Sequence, residues 1–554
     1  ISVITRVPDE ETAIYADNGG IYLYAGGNIE VLGGSYVEAA GDIEMYADYD
    51  VNVQGSYVWA DDGYLDIWGG NNVNITDGSD LYSFDDMWIY ADNNIGIQNS
   101  TIYADWGYLD IDADYNVTIA NSDLYGYDDV YIYGWDGDVT ITGSDIYSDW
   151  DLDIYAGNNV NITDTTTYSA DDTYVTTDSG SIGIYGSTIT SDGNIEFLSA
   201  EDITICDNSL LEAGEDVELV AAGNITICAN SQVSAWVDAY LEAQNGDVTL
   251  GLVTAGDSVT IVSAGAILDN NGDALNIATF LLEMYATSGI GTEDGLETQV
   301  DQLLAENTTT GTMTDDATGD IWIRNNLALD GTLEILGLLN TADPTADSGG
   351  AIILENGSIN MATNTYNYGG DVLLTGNIEA SRYVSVRANG SILDNDANLP
   401  GEFDIIANPQ GDDIDATSEL LAFNGTVGFF GGTADTWNPV EVMIQNGQLY
   451  VYGSEEVNFV SVLIDGSVEP SDLLSVYEGF VPPGLIFFNG RVQGGLLVDD
   501  WFRAVSPSVA NIGNEDEIWT ELLLNLVNPK VFSGEESRWI FDEALQRSLD
   551  LVRR

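Results

Sequence analysis

The stretch "GSDIYSDWDLDIYAGNNVNITD" (143–164) contains three short apolar–polar alternations separated by Gly, Asn and Asp clusters, five aspartates and no basic residue. Alternation with period two marks a half-buried strand, and the clusters mark turns, so the stretch reads as three strands and three turns. The pattern recurs. A small hydroxyl residue ahead of an apolar–aromatic pair returns at Thr12, Ser35, Ser56, Ser79, Ser100, Ser122, Ser144, Thr165, Ser187, Ser209 and Ser231, in steps of 21 to 23.

A unit this short cannot bury its own apolar edge, but stacked coils pair strand on strand and close a continuous interior. The predicted fold is therefore all-β: a right-handed parallel β-helix with about 22-residue coils and three strands per coil, each coil advancing the axis by about 4.8 Å. A propeller blade needs about forty residues, and the L-x-x-L-x-L frame of leucine-rich repeats is absent. Inward positions follow from the alternation. They are Ile146, Leu152, Ile154, Val160 and Ile162 in the quoted coil, with equivalents such as Ile102, Leu109, Ile111, Val117 and Ile119 one step or more away.

The rhythm predicts four regions. Residues 1–250 are a regular acidic β-helix. Residues 251–315 are irregular coils with a side excursion at 276–310, whose "NIATFLLEMYATSGIGTEDG" has partly helical spacing. The β-helix continues over 316–455. Residues 456–554 form a terminal cap or docking region, in which 515–529 and 537–554 read as amphipathic helices.

The 554 residues carry 93 acidic side chains against 11 basic ones, a formal charge of −82, with 44% hydrophobic residues and no histidine. The hydrophobic content argues for a folded chain. The charge argues against nucleic acid or an anionic membrane as partner, because both are held by clustered Lys and Arg. No apolar run reaches the length of a spanning helix, so membrane insertion is not expected. The chain opens at Ile1, as a processed chain or a fragment of a longer one would. Missing histidine chemistry weighs against an enzyme.

Stacking turns any outward residue type into a ladder. One aromatic ladder runs beside the first strand through Tyr15, Trp59, Tyr82, Tyr103, Tyr125, Tyr147 and Tyr168; another follows the second strand through Tyr24, Tyr46, Trp68, Tyr90, Tyr133 and Tyr155. Such rings either cover one another or present a face to a glycan or a neighbouring surface protein. Carboxylates recur at the turn after the first strand: Asp61, Asp62, Asp85, Asp86, Asp105, Asp128, Asp129, Asp149, Asp151, Asp171 and Asp172. Stacked near 5 Å they repel by about 1 kcal/mol even in water, so hard oxygen-seeking cations, Ca2+ in particular, are expected on this edge; sodium is the alternative. No EF-hand loop or nonapeptide calcium roll is present. Paired aspartates also serve as acid and base in glycan-cleaving β-helices, but here pairs occur in nearly every coil and none stands out.

Cys206 and Cys228 sit in matching frames, "ITICDNS" and "ITICANS", one repeat apart. Cα atoms about 4.8 Å apart allow a disulfide; two reduced thiols stacked in the core are the other reading. Basic residues are unevenly spread. Arg6 alone precedes Arg324, whereas Arg538, Arg547, Arg553 and Arg554 crowd the end. A comparatively basic terminus and an acidic solenoid with an uncapped first coil suggest head-to-tail self-association.

Residues 246–323, through "SAGAILD", "GIGT…LET" and "LLAENTTTG", resemble the repeat regions of giant secreted bacterial proteins of the filamentous-haemagglutinin-like group. The resemblance implies a β-helical surface or fibre protein outside a bacterial cell. The expected function is thus a structural subunit of a surface fibre, with an adhesin binding glycans or cell surfaces as the alternative and a polysaccharide lyase or hydrolase as the more distant one.

Overall fold

The structure, a computed structural model, describes the strand Ser2–Ile4 and residues 12–388 apart from 292–294, 309–317, 327–330, 343–348, 361–364, 369, 377 and 382–383. Beyond 388 it describes only backbone strands between Ile392 and Asn489. The terminal segments expected to be helical, 515–529 and 537–554, and the assembly candidates Arg6, Arg538, Arg547, Arg553 and Arg554 lie outside the described residues. The chain divides into two units, Ile1–Gly265 and Ala266–Arg554.

The first unit is a parallel β-solenoid. The opening stretch is one coil, with strands Asp145–Ser148, Leu152–Ala156 and Val160–Thr163. Each pairs in parallel with its counterpart one coil earlier and one coil later: Ile146 lies opposite Leu124 and Thr167, Leu152 opposite Val130 and Thr173, Val160 opposite Val139 and Ile182. The inward residues are removed from solvent, with Leu152, Ile154, Val160 and Ile162 at 0% exposure and Ile146 at 1%. Burial of a side chain of this size is worth about 1.5–3 kcal/mol. Repetition of five such residues per coil supplies the core that no single coil has.

Three corners must satisfy the backbone groups that strand pairing leaves over, because a buried unpaired amide costs free energy comparable to a lost hydrogen bond. At the first corner the recurring serine is buried. Its hydroxyl donates to the carbonyl two or three residues back, as in Ser122 to Ala120 (2.9 Å), and accepts the amide of the serine one coil earlier, as from Ser100 (3.1 Å). The same relation links Ser122 to Ser144, Ser144 to Thr165, Thr165 to Ser187, Ser187 to Ser209 and Ser209 to Ser231. The residue ahead of the hydroxyl takes positive φ, which Gly, Asn and Asp tolerate: Gly55, Gly78, Asn99, Asn121, Gly143, Asp164, Gly186 and Asn208.

A second ladder precedes the third strand. The amide of Asp138 donates to Asn116 Oδ1 (2.9 Å), Asn159 to Asp138 (3.0 Å), Ser181 to Asn159 (3.0 Å), Asn224 to Asp202 (2.7 Å) and Asp247 to Asn224 (2.9 Å). Here the side chain caps the coil after it, whereas the serines cap the coil before. The period of these asparagines is plain in the sequence once the corner is known.

The second unit corrects one expectation. Residues 277–286 and 296–307, placed in a partly helical excursion, are strands Ile277–Ala286 and Leu296–Asn307 paired in parallel, and no helix occurs among the described residues. The alternation of burial slips by one residue at Phe280–Leu281, and this outward apolar pair imitates helical spacing. Strands here are longer, and the pairing continues through Leu333–Asn340 and Gly349–Asn360 to Val384–Ala388. A charge ladder crosses four of them. Buried Glu297 is bound by Arg324 (2.9 Å), which also meets Glu355 (3.4 Å), and Glu355 is bound by Arg387 (3.0 Å).

Cys206 and Cys228 form a disulfide across adjacent coils, with Cα atoms 4.8 Å apart. Neither cysteine fills the core: Ile203, Ile205, Ile225 and Ile227 point inward, so both sulfurs sit on the outer face of the corner. Closing a loop of 22 residues is worth about 3 kcal/mol in the chain-entropy treatment. The C206S/C228S variant should lose about 3 kcal/mol of hydrogen-exchange protection in strands Ile203–Cys206 and Ile225–Ile227. Equal protection in both proteins would show that strand pairing alone holds these coils.

Candidate functional site

The chemistry-bearing surface of the first unit is the outward side of its first and second strands. Because each strand repeats in register, Tyr82, Tyr103, Tyr125, Tyr147 and Tyr168 occupy one column. Their rings stack with centroids 5.9, 4.4, 5.3 and 4.9 Å apart and interplanar angles of 9°, 13°, 15° and 21°. Trp59 joins the end of the column, tilted, at 5.9 Å from Tyr82. Tyr15 does not, because Glu38 lies between it and Trp59.

The second-strand ladder is less regular. Tyr24 and Tyr46 stack at 5.2 Å, Trp68 is tilted against Tyr46 at 6.2 Å, and Asp112 interrupts the column between Tyr90 and Tyr133. A row missed from the sequence alternates between the corner before that strand (Tyr64, Tyr108) and the strand itself (Trp88, Tyr131), with rings meeting edge to face at 5.5 to 6.1 Å. Phe84, Trp106 and Tyr127 form another at the turn.

The hydroxyls have a common role. On the second strand four tyrosines donate to a carboxylate twenty residues on: Tyr24 to Glu44, Tyr46 to Asp66, Tyr90 to Asp110 (2.7 Å) and Tyr133 to Asp153 (2.6 Å); Tyr155 bonds instead to Asp178, and Tyr131 and Tyr174 to Asp129 and Asp172. On the first strand the reach is 23 or 24 residues: Tyr82 to Asp105 (3.2 Å), Tyr125 to Asp149 (2.9 Å) and Tyr168 to Asp192 (2.8 Å). Both spacings exceed or fall short of the repeat by one or two residues, a signal present in the sequence that the strand period alone does not bring out.

The predicted cation-binding aspartates separate into three groups. Asp86, Asp129, Asp151 and Asp172 cap backbone: their Oδ1 atoms accept the amides of Tyr108, Asp151, Asp172 and Asn194 one coil later. Asp105 and Asp149 receive tyrosine hydroxyls. Asp61, Asp62, Asp85 and Asp171 are exposed, and Asp128 is half-buried.

Asp129, Asp151 and Asp172 stack in consecutive coils as expected, whereas the column just after the first strand does not. In the turn column, backbone hydrogen bonds place Asp61, Asp105 and Asp149 in alternate coils with Phe84 and Tyr127 between them. Apolar rings thus double the distance between like charges. Among the described residues one trio, Asp151, Asp171 and Asp172, brings oxygens within 4.8 Å of one another and is suited to a cation.

Between the exposed row Thr101, Asp123, Asp145, Thr166 and the tyrosine column runs a shallow groove of about 400 Å³. The ring faces of Tyr82 to Tyr168 are spent on one another, so the column offers edges and carboxylate-bound hydroxyls to a ligand. No family model, curated protein or solved structure matches the chain.

Every resolved carboxylate shift on this surface is upward. Burial lifts Asp66, Asp112 and Asp153 above the usual range, and lifts Asp110 to about 6 although the Tyr90 hydroxyl opposes it. The phenols are raised as well. Tyr82 reaches about 12 through burial and Asp105, and Tyr168 about 12 chiefly through its bond to Asp192.

A raised aspartate disfavours folding once ionised. The stability that Asp110 leaves intact below the ordinary value of about 4 is lost as pH rises through about 6, a difference of at most about 3 kcal/mol. The thermal midpoint by circular dichroism should therefore climb as pH falls from 7 toward 4, and D110N should flatten part of that slope. A midpoint that falls steadily over this range would contradict the assignment.

Proposed function

We propose that this chain is an extracellular structural protein, the subunit of a bacterial surface fibre or filament that grows head to tail. What supports the reading is the in-register parallel β-solenoid, in which each strand of the 143–164 coil pairs with its counterpart in the coil before and in the coil after, a repeat architecture compatible with a structural protein.

Charge selects the partner. The coils carry no basic residue between Arg6 and Arg324, while Arg491, Arg503, Lys530, Arg538, Arg547, Arg553 and Arg554 gather toward the other end of the chain. A heterologous contact between that segment of one copy and the acidic first coils of the next does not close on itself and propagates a filament. The intercoil disulfide supports an oxidising location. The likeness of residues 246–323 to filamentous-haemagglutinin-like repeats supports a secreted bacterial origin.

Removal of residues 515–554 should leave single particles in negative stain under conditions where the full chain forms filaments; filaments from the truncated chain would sink the mechanism.

Calcium at Asp151, Asp171 and Asp172 belongs to the same proposal, as the counter-charge that lets acidic copies approach. Asp171 is the residue to test, because it is exposed and its neighbour Asp172 caps backbone. Calcium should raise the thermal midpoint of the parent and chelator should reverse it, with a smaller rise in D171N. An equal rise in both would place the ion elsewhere.

A further inference from the structure

The tyrosine column has a property that neither fold nor assembly requires. A stack of five phenols, each with a carboxylate at its hydroxyl, combines the two conditions for moving an oxidising equivalent through a protein: overlapping donors and a local acceptor for the proton that a phenol must release when it loses an electron. We propose that Trp59 and Tyr82, Tyr103, Tyr125, Tyr147 and Tyr168 form a relay that carries one-electron oxidation along the solenoid, with Asp105, Asp149 and Asp192 as its proton acceptors. The inference is independent of filament formation, since it rests on one chain.

The geometry sets the order of steps. Trp59 is 40% exposed and lies at the end of the column, 5.9 Å from Tyr82. An oxygen-centred radical in solution takes one electron from the indole and the resulting oxyanion takes a proton from water, while the oxidised indole releases its N–H proton to water, so the radical leaves as its hydroxyl form and water is left unchanged. Tyr82 then passes an electron to the indolyl radical, which regains a proton from water, and the Tyr82 phenolic proton moves to Asp105, 3.2 Å away.

The next transfers need little proton motion, because acceptors are shared. The Tyr103 hydroxyl also bonds to Asp105, so as Tyr103 gives up its electron and proton, Tyr82 recovers its own from the same carboxylate. Tyr103 and Tyr125 are the closest pair, with centroids 4.4 Å apart and their hydroxyls hydrogen-bonded. Tyr125 and Tyr147 share Asp149 in the same manner, and Tyr168 ends the column on Asp192. Beyond it the register places Thr190 and Glu212, which cannot continue the relay. The raised phenols fit this chemistry: they stay protonated at neutral pH, so electron and proton must leave together.

The alternative use of the column, mere packing, needs rings but neither hydroxyls nor carboxylates. Tyr125→Phe keeps the ring and removes the donor, which separates the two.

The test uses the full chain with Glu38→Cys, on the coil facing Trp59, labelled with a ruthenium polypyridyl photosensitiser; the native cysteines are already paired. After a flash with a sacrificial cobalt(III) acceptor, radicals are captured by a nitroso spin trap and the adducts mapped by mass spectrometry. Adducts are expected at Tyr147 and Tyr168. Tyr125→Phe should abolish them there and leave those at Tyr82 and Tyr103. Asp149→Asn should do the same, with Asp149→Glu restoring transfer, while circular dichroism shows each variant folded. Unchanged adducts at Tyr168 in Tyr125→Phe, or adducts in the parent that never pass Tyr82, would overturn the relay.

Discussion

The structure depends on the demand that every backbone amide at a corner find a partner one coil away. Strand pairing satisfies the flat faces automatically, but the corners turn too sharply for backbone to serve itself, and a solenoid repeats each unsolved corner in every coil. The serine and asparagine/aspartate ladders answer with one side-chain oxygen per coil at each place. Short side chains that hydrogen-bond close to their own backbone are suited to turns for this reason. The abundance of Asp and Asn is thus first a consequence of the fold. A carboxylate such as Asp151 or Asp172 accepts the amide of the next coil as an asparagine does, although only asparagine adds a side-chain N–H donor to the ladder.

Choosing aspartate at so many corners brings a charge problem, and the coils between Arg6 and Arg324 meet it without a basic side chain of their own. Rings placed between carboxylates in the turn column increase their separation, and phenol hydroxyls supply the donors that arginine or lysine would supply elsewhere. A phenol is a neutral donor, so the carboxylates it serves keep their charge, and burial raises Asp66, Asp110 and Asp153 rather than lowering them. The second unit takes the other route. Its Glu297, Arg324, Glu355 and Arg387 alternate in sign across neighbouring strands, so stacking turns repulsion into attraction.

The fold was legible because the repeat survives in residue types that stacking constrains: inward Ile, Leu and Val, and the hydroxyl corner. Register from Ile14 through Val233 is as the alternation predicts, with Thr167 taking the inward place in one coil. The aromatic column was legible for the same reason. What escaped was the relation between columns. Aspartates after the first strand look like one series, but coils slightly shorter or longer than the mean repeat shift them by one position, and they divide among caps, phenol acceptors and exposed rungs. At Phe280–Leu281 a one-residue slip of the strand was enough to imitate a helix.

The tyrosine column shows how far stacking alone specifies function. Five rings at one register position would cover each other whatever their hydroxyls met, and phenylalanine would stack as well. The hydroxyls, however, land on carboxylates contributed by a different corner, and the required spacing of 23 or 24 residues is not the spacing of the repeat. Two columns with different phases must therefore coincide, and they do so in alternate coils, where Asp105, Asp149 and Asp192 meet Tyr82, Tyr125 and Tyr168. Packing asks only for the ring column. Coincidence of the second column is a constraint of another kind, and proton acceptance is the chemistry that a carboxylate at a phenol hydroxyl performs.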